Sequence, residues 1–217
     1  MQQSSETTQP NPKIKTKFQL IEVAIPLFAE GGLSTVSIRD INQAAGIANQ
    51  SAIYYHFGDM WGLVTASFSY ALAPYISGVN TMLDQVELES DGISPPALNK
   101  IVDALIRPMV RIIQQPDGLH KIKFIARIIG GAGDKGRKLV ADEFRELTLR
   151  CNQLVVRSLP GIGEEAASVK VLFAFNSVIN IISDIGLERY WPLVTQDTRQ
   201  IDRYLHDYIE GGIRFNA

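Results

Sequence analysis

The chain has 217 residues, 46% hydrophobic and 20% charged, which is enough for a real buried core and is ordinary for a globular protein. Its net charge of −2 weighs against nucleic acid as a partner, because phosphate attraction supplies most non-specific affinity. Cys151 is the one cysteine, so no intrachain disulfide can form and a reduced, cytoplasmic setting is expected.

Residues 1–12 are polar, carry Pro10 and Pro12, show no secretory pattern, and are expected to be a disordered arm. A first helix is predicted over Lys13 to Glu30, with Phe18, Ile21, Ile25 and Phe28 as its apolar stripe. Gly31-Gly32 should end it, and Pro26 should kink its last turns. Ser37 with Asp40 three residues on is a capping box that opens a second helix. Ile38, Ile41 and Ala45 share the apolar face of that helix. Gly46 supplies a sharp turn and Ile47 plugs the corner. Asn49 is expected to cap a third helix whose apolar face is Ala52, Ile53 and Phe57. Two short helices about a glycine turn form a helix-turn-helix, whose second helix enters the DNA major groove.

A long fourth helix should start near Asp59 and pass Met82, with Pro74 kinking it midway. Residues 88–96 read as a loop, and Pro96 should open a fifth helix that reaches Gln114. Further helices are predicted over His120 to Ile129, Arg137 to Leu159, Glu164 to Tyr190 and Asp197 to Phe215. Gly130 to Gly136 is expected to be a flexible break; it only superficially resembles a phosphate loop, because no strand precedes it. Trp191-Pro192 should separate the last two helices. No strand alternation, repeat or apolar run of ~18 residues, the length of a membrane span, is visible. The fold class is therefore all-α: residues 13–58 form a three-helix bundle with the helix-turn-helix, and residues 59–217 a larger helical domain.

The stretch from Val36 to Gly58 resembles the TetR family of bacterial regulators. That family reads roughly Thr-x-x-x-Ile-Ala-x-x-Ala-Gly-Val, a short polar stretch, then Leu-Tyr-x-His-Phe. Here Ile41, Ala45-Gly46-Ile47 and Tyr54-Tyr55-His56-Phe57 match, with a turn one residue longer than in the commonest members. Asn49, Ser51, Ala52 and Tyr55 to Gly58 are similar to a branch carrying Asn-x-Ser-Ala before Tyr-His-Phe-Gly. The resemblance covers residues 14–64. It implies a dimer that regulates transcription, with a small apolar or aromatic effector held by the C-terminal domain.

Asn49, Gln50 and Ser51 stand where recognition helices meet base edges; Asn and Gln can pair with adenine. Tyr54 and Tyr55 can reach phosphate oxygens, a role the resemblance also implies. His56 is either a further DNA contact or a packed ring that holds the third helix to the fourth. Lys13 and Lys17 precede the motif, and Ser37 and Arg39 open a helix whose first amides can bind phosphate. Residues 1–63 nevertheless hold four basic against five acidic groups, a net of −1, and the family's Lys or Arg three places after the Phe is Met60 here.

Val169, Leu172, Phe173, Phe175, Val178, Ile179 and Ile182 leave the eighth helix little polar face, so it must be buried on two sides. Either it is central to a monomer, or the helices over about 164–190 and 197–215 form a four-helix homodimer interface with a second copy. Asn176 and Asn180 share one face of it and serve a ligand or a structural hydrogen bond. Candidate pocket residues are Phe68, Tyr75, Phe124, Arg127, Phe173, Asn176 and Asn180; Tyr70 and Phe144 are further aromatics. His56, His120 and His206 have no metal-ligand spacing. Neither an enzyme nor a cofactor is expected. The partners implied are a palindromic double-stranded DNA operator, a small-molecule effector and a second copy, with no membrane. The rival reading is a helical binding or adaptor protein without operator specificity.

Overall fold

The computed structural model describes residues 12–90, 92–184 and 198–215. Among them the chain forms α1 (Pro12–Gly31), α2 (Ile38–Ala44), α3 (Ala52–Phe57), α4 (Met60–Glu89) and α5 (Leu98–Ile113). These are followed by α6 (Gly118–Gly131), α7 (Gly133–Ser158), α8 (Glu164–Ser183) and α9 (Thr198–Arg214). Residues 1–11 of the expected arm, Trp191-Pro192 and the predicted end of the eighth helix at Tyr190 lie outside the described residues, while Pro12 opens α1.

The long α4 joins the two halves. Its N-terminal turns pack on α1 and α3, and the rest packs on α5. Gly78 makes that second crossing close, since a Cβ there would lie 2.8 Å from Cβ of Pro108. Buried side chains from α1 through α9 form one continuous core. Tyr75, fully buried, donates its hydroxyl to the Leu105 carbonyl at 3.0 Å, and its ring meets Phe144 and Phe175. Burial holds both the Tyr75 phenol and the Cys151 thiol in their neutral forms, the thiol pushed up to about 12.

α1 and α4 continue past Pro26 and Pro74, and α5 contains Pro108 as well. Several expectations need correction. α5 begins at Leu98 behind an extended Ala97, not at Pro96. The expected flexible stretch of residues 130–136 is helical except at Ala132, since α6 ends at Gly131 and α7 starts at Gly133. Gly133 turns the chain with φ +59°. Gly136 then packs so closely that a Cβ would fall 2.4 Å from Cβ of Ala132. α8, finally, is long and apolar enough to cross a membrane by length and composition, which the sequence was not expected to contain. It packs on α5, α6, α7 and α9, as a core helix does.

Candidate DNA interface and effector cleft

The capping box forms as the sequence requires. Ser37 Oγ accepts from Asp40 N at 3.2 Å, and the Asp40 carboxylate accepts from Ser37 N at 2.9 Å and Ser37 Oγ at 2.6 Å. These bonds hold the Asp40 carboxyl below its ordinary range. The Ser37 amide and hydroxyl are thereby engaged with Asp40. Arg39 is exposed beside it.

Gly46 takes φ +65°, and Ile47 N closes the end of α2 on the Asn42 carbonyl at 2.9 Å. Asn49 does not cap α3. Its Oδ1 accepts from Ser51 N at 3.0 Å, a local turn, and Ser51 is the N-cap residue without a side-chain cap bond. Asn49, Gln50 and Ser51 are exposed, as are Tyr54 and Tyr55, the latter 65% accessible. Ala52 and Ile53 turn inward.

α1 brings its cations to the same place. Lys13 Nζ stands 5.7 Å from the Tyr55 ring centroid, and a hydrogen bond to the Tyr55 hydroxyl raises its pKa. Lys17 Nζ stands 5.8 Å over Phe57. The His56 ring sits edge-on to Tyr55 and near Phe57. Met60 is partly buried against the core, while Lys135 from α7 holds its ammonium 5.9 Å over the next residue, Trp61. α3 meets α4 tightly: Asp59 caps α4 by accepting from Gly62 N at 2.7 Å, and a Cβ on Gly62 would lie 1.9 Å from the Phe57 carbonyl.

A cleft of about 750 Å³ opens between α7 and α8. Phe144, Val171, Phe175 and Ile179 make its apolar wall, and Thr148, Asn152 and Asn176 its polar points. The Asn152 Oδ1 is buried without a hydrogen-bond partner, an unusual state for a buried polar atom. Of the seven pocket residues expected from sequence, Asn176 alone lines this cleft. Phe68 and Phe124 are core, Phe124 stacking on Phe28 at 5.6 Å, and Tyr75 lies behind Phe144 and Phe175. Arg127 donates to the carbonyls of Ala29 and Glu30 at the end of α1, at 2.6 and 3.2 Å. Asn180 is exposed, donates to the Asn176 carbonyl at 2.9 Å, and lines a separate hollow with Arg127 and His120. Phe173 is 62% exposed on the outer face. A stripe four residues apart on α7, Phe144-Thr148-Asn152, was the signal that the sequence offered for this wall.

Val169, Leu172, Phe173 and Ile181 of α8, with Tyr204 and Tyr208 of α9, leave an exposed apolar face on the single chain. α8 thus packs on four helices of its own chain and still presents apolar side chains to the outside.

The family described as bacterial regulatory proteins, tetR family, matches residues 20–66, and the tetracyclin repressor-like C-terminal domain matches residues 103–212. The chain belongs to the TetR family. Its members are transcriptional regulators, generally DNA-binding repressors that respond to ligands. Solved TetR-type structures share the fold over nearly their whole length. The fatty acid degradation regulator FadR from Bacillus halodurans is 13% identical with a TM-score of 0.66, covering 96% of this chain and 100% of its own. A tetR-family regulatory protein from Rhodococcus RHA1 is 12% identical with a TM-score of 0.65, covering 94% and 99%. The ketosteroid regulator KstR2 of Mycobacterium tuberculosis is 16% identical with a TM-score of 0.61, covering 96% and 98%. A comparison with curated proteins gave no match.

Proposed function

We propose that this TetR-family chain is a cytoplasmic homodimeric repressor that binds a palindromic operator and is released by a small apolar or aromatic ligand. Residues 13–58 would be the DNA-reading unit and residues 59–217 the ligand and dimer unit. The observation that carries the DNA part is the approach of Lys13 to Tyr55 and of Lys17 to Phe57, which brings cations of α1 to a third helix whose Tyr54 and Tyr55, like Asn49, Gln50 and Ser51 before it, are exposed. Ammonium and phenol groups there hold phosphates and fix register, and the amides beside them meet base edges.

The cleft between α7 and α8 supports an apolar ligand with a few polar groups, because Thr148, Asn152 and Asn176 stand among its apolar lining. Regulators of fatty acid degradation and ketosteroid response share the fold, and ligands of that apolar character suit the Phe144 and Phe175 wall. Ligand would favour a form whose two recognition helices are wrongly spaced for successive major grooves.

Fluorescence anisotropy on duplexes from around its own coding region, across a salt series, tests this reading. A repressor gives saturable, salt-sensitive binding by a dimer with preference for a palindrome, and Tyr55→Phe weakens it by about thirtyfold, the loss of about one hydrogen bond of ~1 kcal/mol at each of two half-sites. The acidic N-terminal region and the packed Met60 favour one rival, an adaptor that kept the fold. Weak binding indifferent to sequence at low salt, unchanged by Tyr55→Phe, would decide for it.

A further inference from the structure

We infer that the turn between α2 and α3 is braced so that Gln50, and not Asn49, is the amide that reads DNA, with Asn42 as the residue that positions it. This rests on the operator-binding reading above. Asn42 is only 3% exposed, yet it is polar. Its carbonyl accepts from Ile47 N at the near end of the turn, and its Nδ2 donates to the Gln50 carbonyl at 3.4 Å at the far end. One residue therefore ties both ends of the turn. Its Oδ1 has no partner, so the side chain carries a desolvation cost that an apolar residue would avoid. What the amide provides in return is its hold on the Gln50 backbone. On the α1 side, Gln19 Nε2 holds the Ala45 carbonyl at 2.6 Å, so the end of α2 is fixed as well.

The same turn divides the two exposed amides. Bidentate pairing with adenine needs the oxygen and the nitrogen of one amide together. The Asn49 oxygen accepts from Ser51 N, which fixes the direction of its amide within the turn, so adenine would have to meet it in that one orientation on the second lone pair. Gln50 is exposed, one methylene longer, and anchored through its backbone, which leaves its amide to present both groups. The ligand chemistry is thus an A·T pair in each operator half-site.

The test begins with a randomised duplex library selected on the full-length wild-type protein. The expected site holds an A·T pair in each half whose change to G·C lowers affinity about tenfold or more. Gln50→Ala should abolish that discrimination and Asn49→Ala should retain it. Asn42→Ala should lower affinity for the selected site about tenfold, with affinity for unrelated duplex and the salt slope unchanged. Asn42→Leu keeps most of the volume, cannot donate to Gln50 and leaves no buried polar atom unpaired, and should behave alike, which covers poor folding of the alanine variant. Discrimination that survives Gln50→Ala and disappears in Asn49→Ala overturns the assignment. Equal loss of specific and unspecific binding in both Asn42 variants overturns the positioning role. A wild-type protein that selects no sequence sinks the operator reading and this inference together; a selected site indifferent to Gln50→Ala sinks the inference alone.

Discussion

Gly62 shows how much of the DNA-reading surface depends on a single missing methyl group. A side chain there would meet the Phe57 carbonyl at 1.9 Å, and backbone cannot step aside as a flexible side chain can. Gly62→Ala should therefore push α3 away from α4, lowering stability by ~1–3 kcal/mol and DNA affinity with it; thermal melts and anisotropy read the two effects. Cys151 and Tyr75 make a second prediction. Both are held neutral by burial, the thiol up to about 12 against an ordinary value of 9.0. Between those two values the unfolded chain has lost the Cys151 proton and the folded chain keeps it, so stability falls as pH rises above about 9. Denaturant titrations at pH 8 and pH 10 should show that loss, and Cys151→Ala should reduce it. The residues of the helix-turn-helix were legible in the sequence because cap, glycine turn and inward positions are signals within a few residues of one another. The role of Asn49 was not, since a cap and a local turn use the same side-chain oxygen and differ only in the backbone amide that reaches it.

At the scale of elements, α6 braces the N-terminal bundle. His120 meets Glu30 at 3.1 Å, Phe124 stacks on Phe28, and Arg127 closes the end of α1. The carbonyls at a helix C-terminus lack partners within the helix, and the Arg127 guanidinium supplies one. Arg127→Ala should cost ~1–3 kcal/mol of stability, as hydrogen bonds to charged groups do, measurable by denaturant unfolding; an unchanged midpoint would show that water replaces it freely. On the other flank Arg150 of α7 ties Asp84 and Glu87 of α4, the latter at 2.7 Å. The unbroken α4 still lacks one backbone donor at Pro74. If that weakness makes α4 the lever between cleft and DNA, Pro74→Ala should blunt ligand-induced release in the anisotropy assay. Release at the wild-type ligand concentration would dismiss the lever. Helix order and approximate limits could be read from periodicity, glycines and prolines. The cleft could not, because its walls depend on which face of α7 meets α8, a long-range choice that no local pattern encodes.

For the whole molecule the open question is its second copy. Exposed Phe173 of α8 and Tyr208 of α9, which line one hollow together, mark the surface that homodimerisation would bury. Phe173→Asp should place a charge at its centre and yield a monomer that weighs about half as much by light scattering and binds operator weakly. A dimer that persists would move the interface elsewhere. The sequence announced this face as a helix with too little polar surface, but which apolar residues point outward emerges only once α8 has packed on its neighbours.

Cys151 makes that question directly measurable. Because the one thiol of the chain is buried and kept protonated, the surface of the protein carries no reactive sulfur. A cysteine introduced at exposed Tyr54 would be the sole site for a spin label or dye. Two such labels across a twofold axis would give the separation of the recognition helices as a distance distribution, with and without ligand, from one variant and without background.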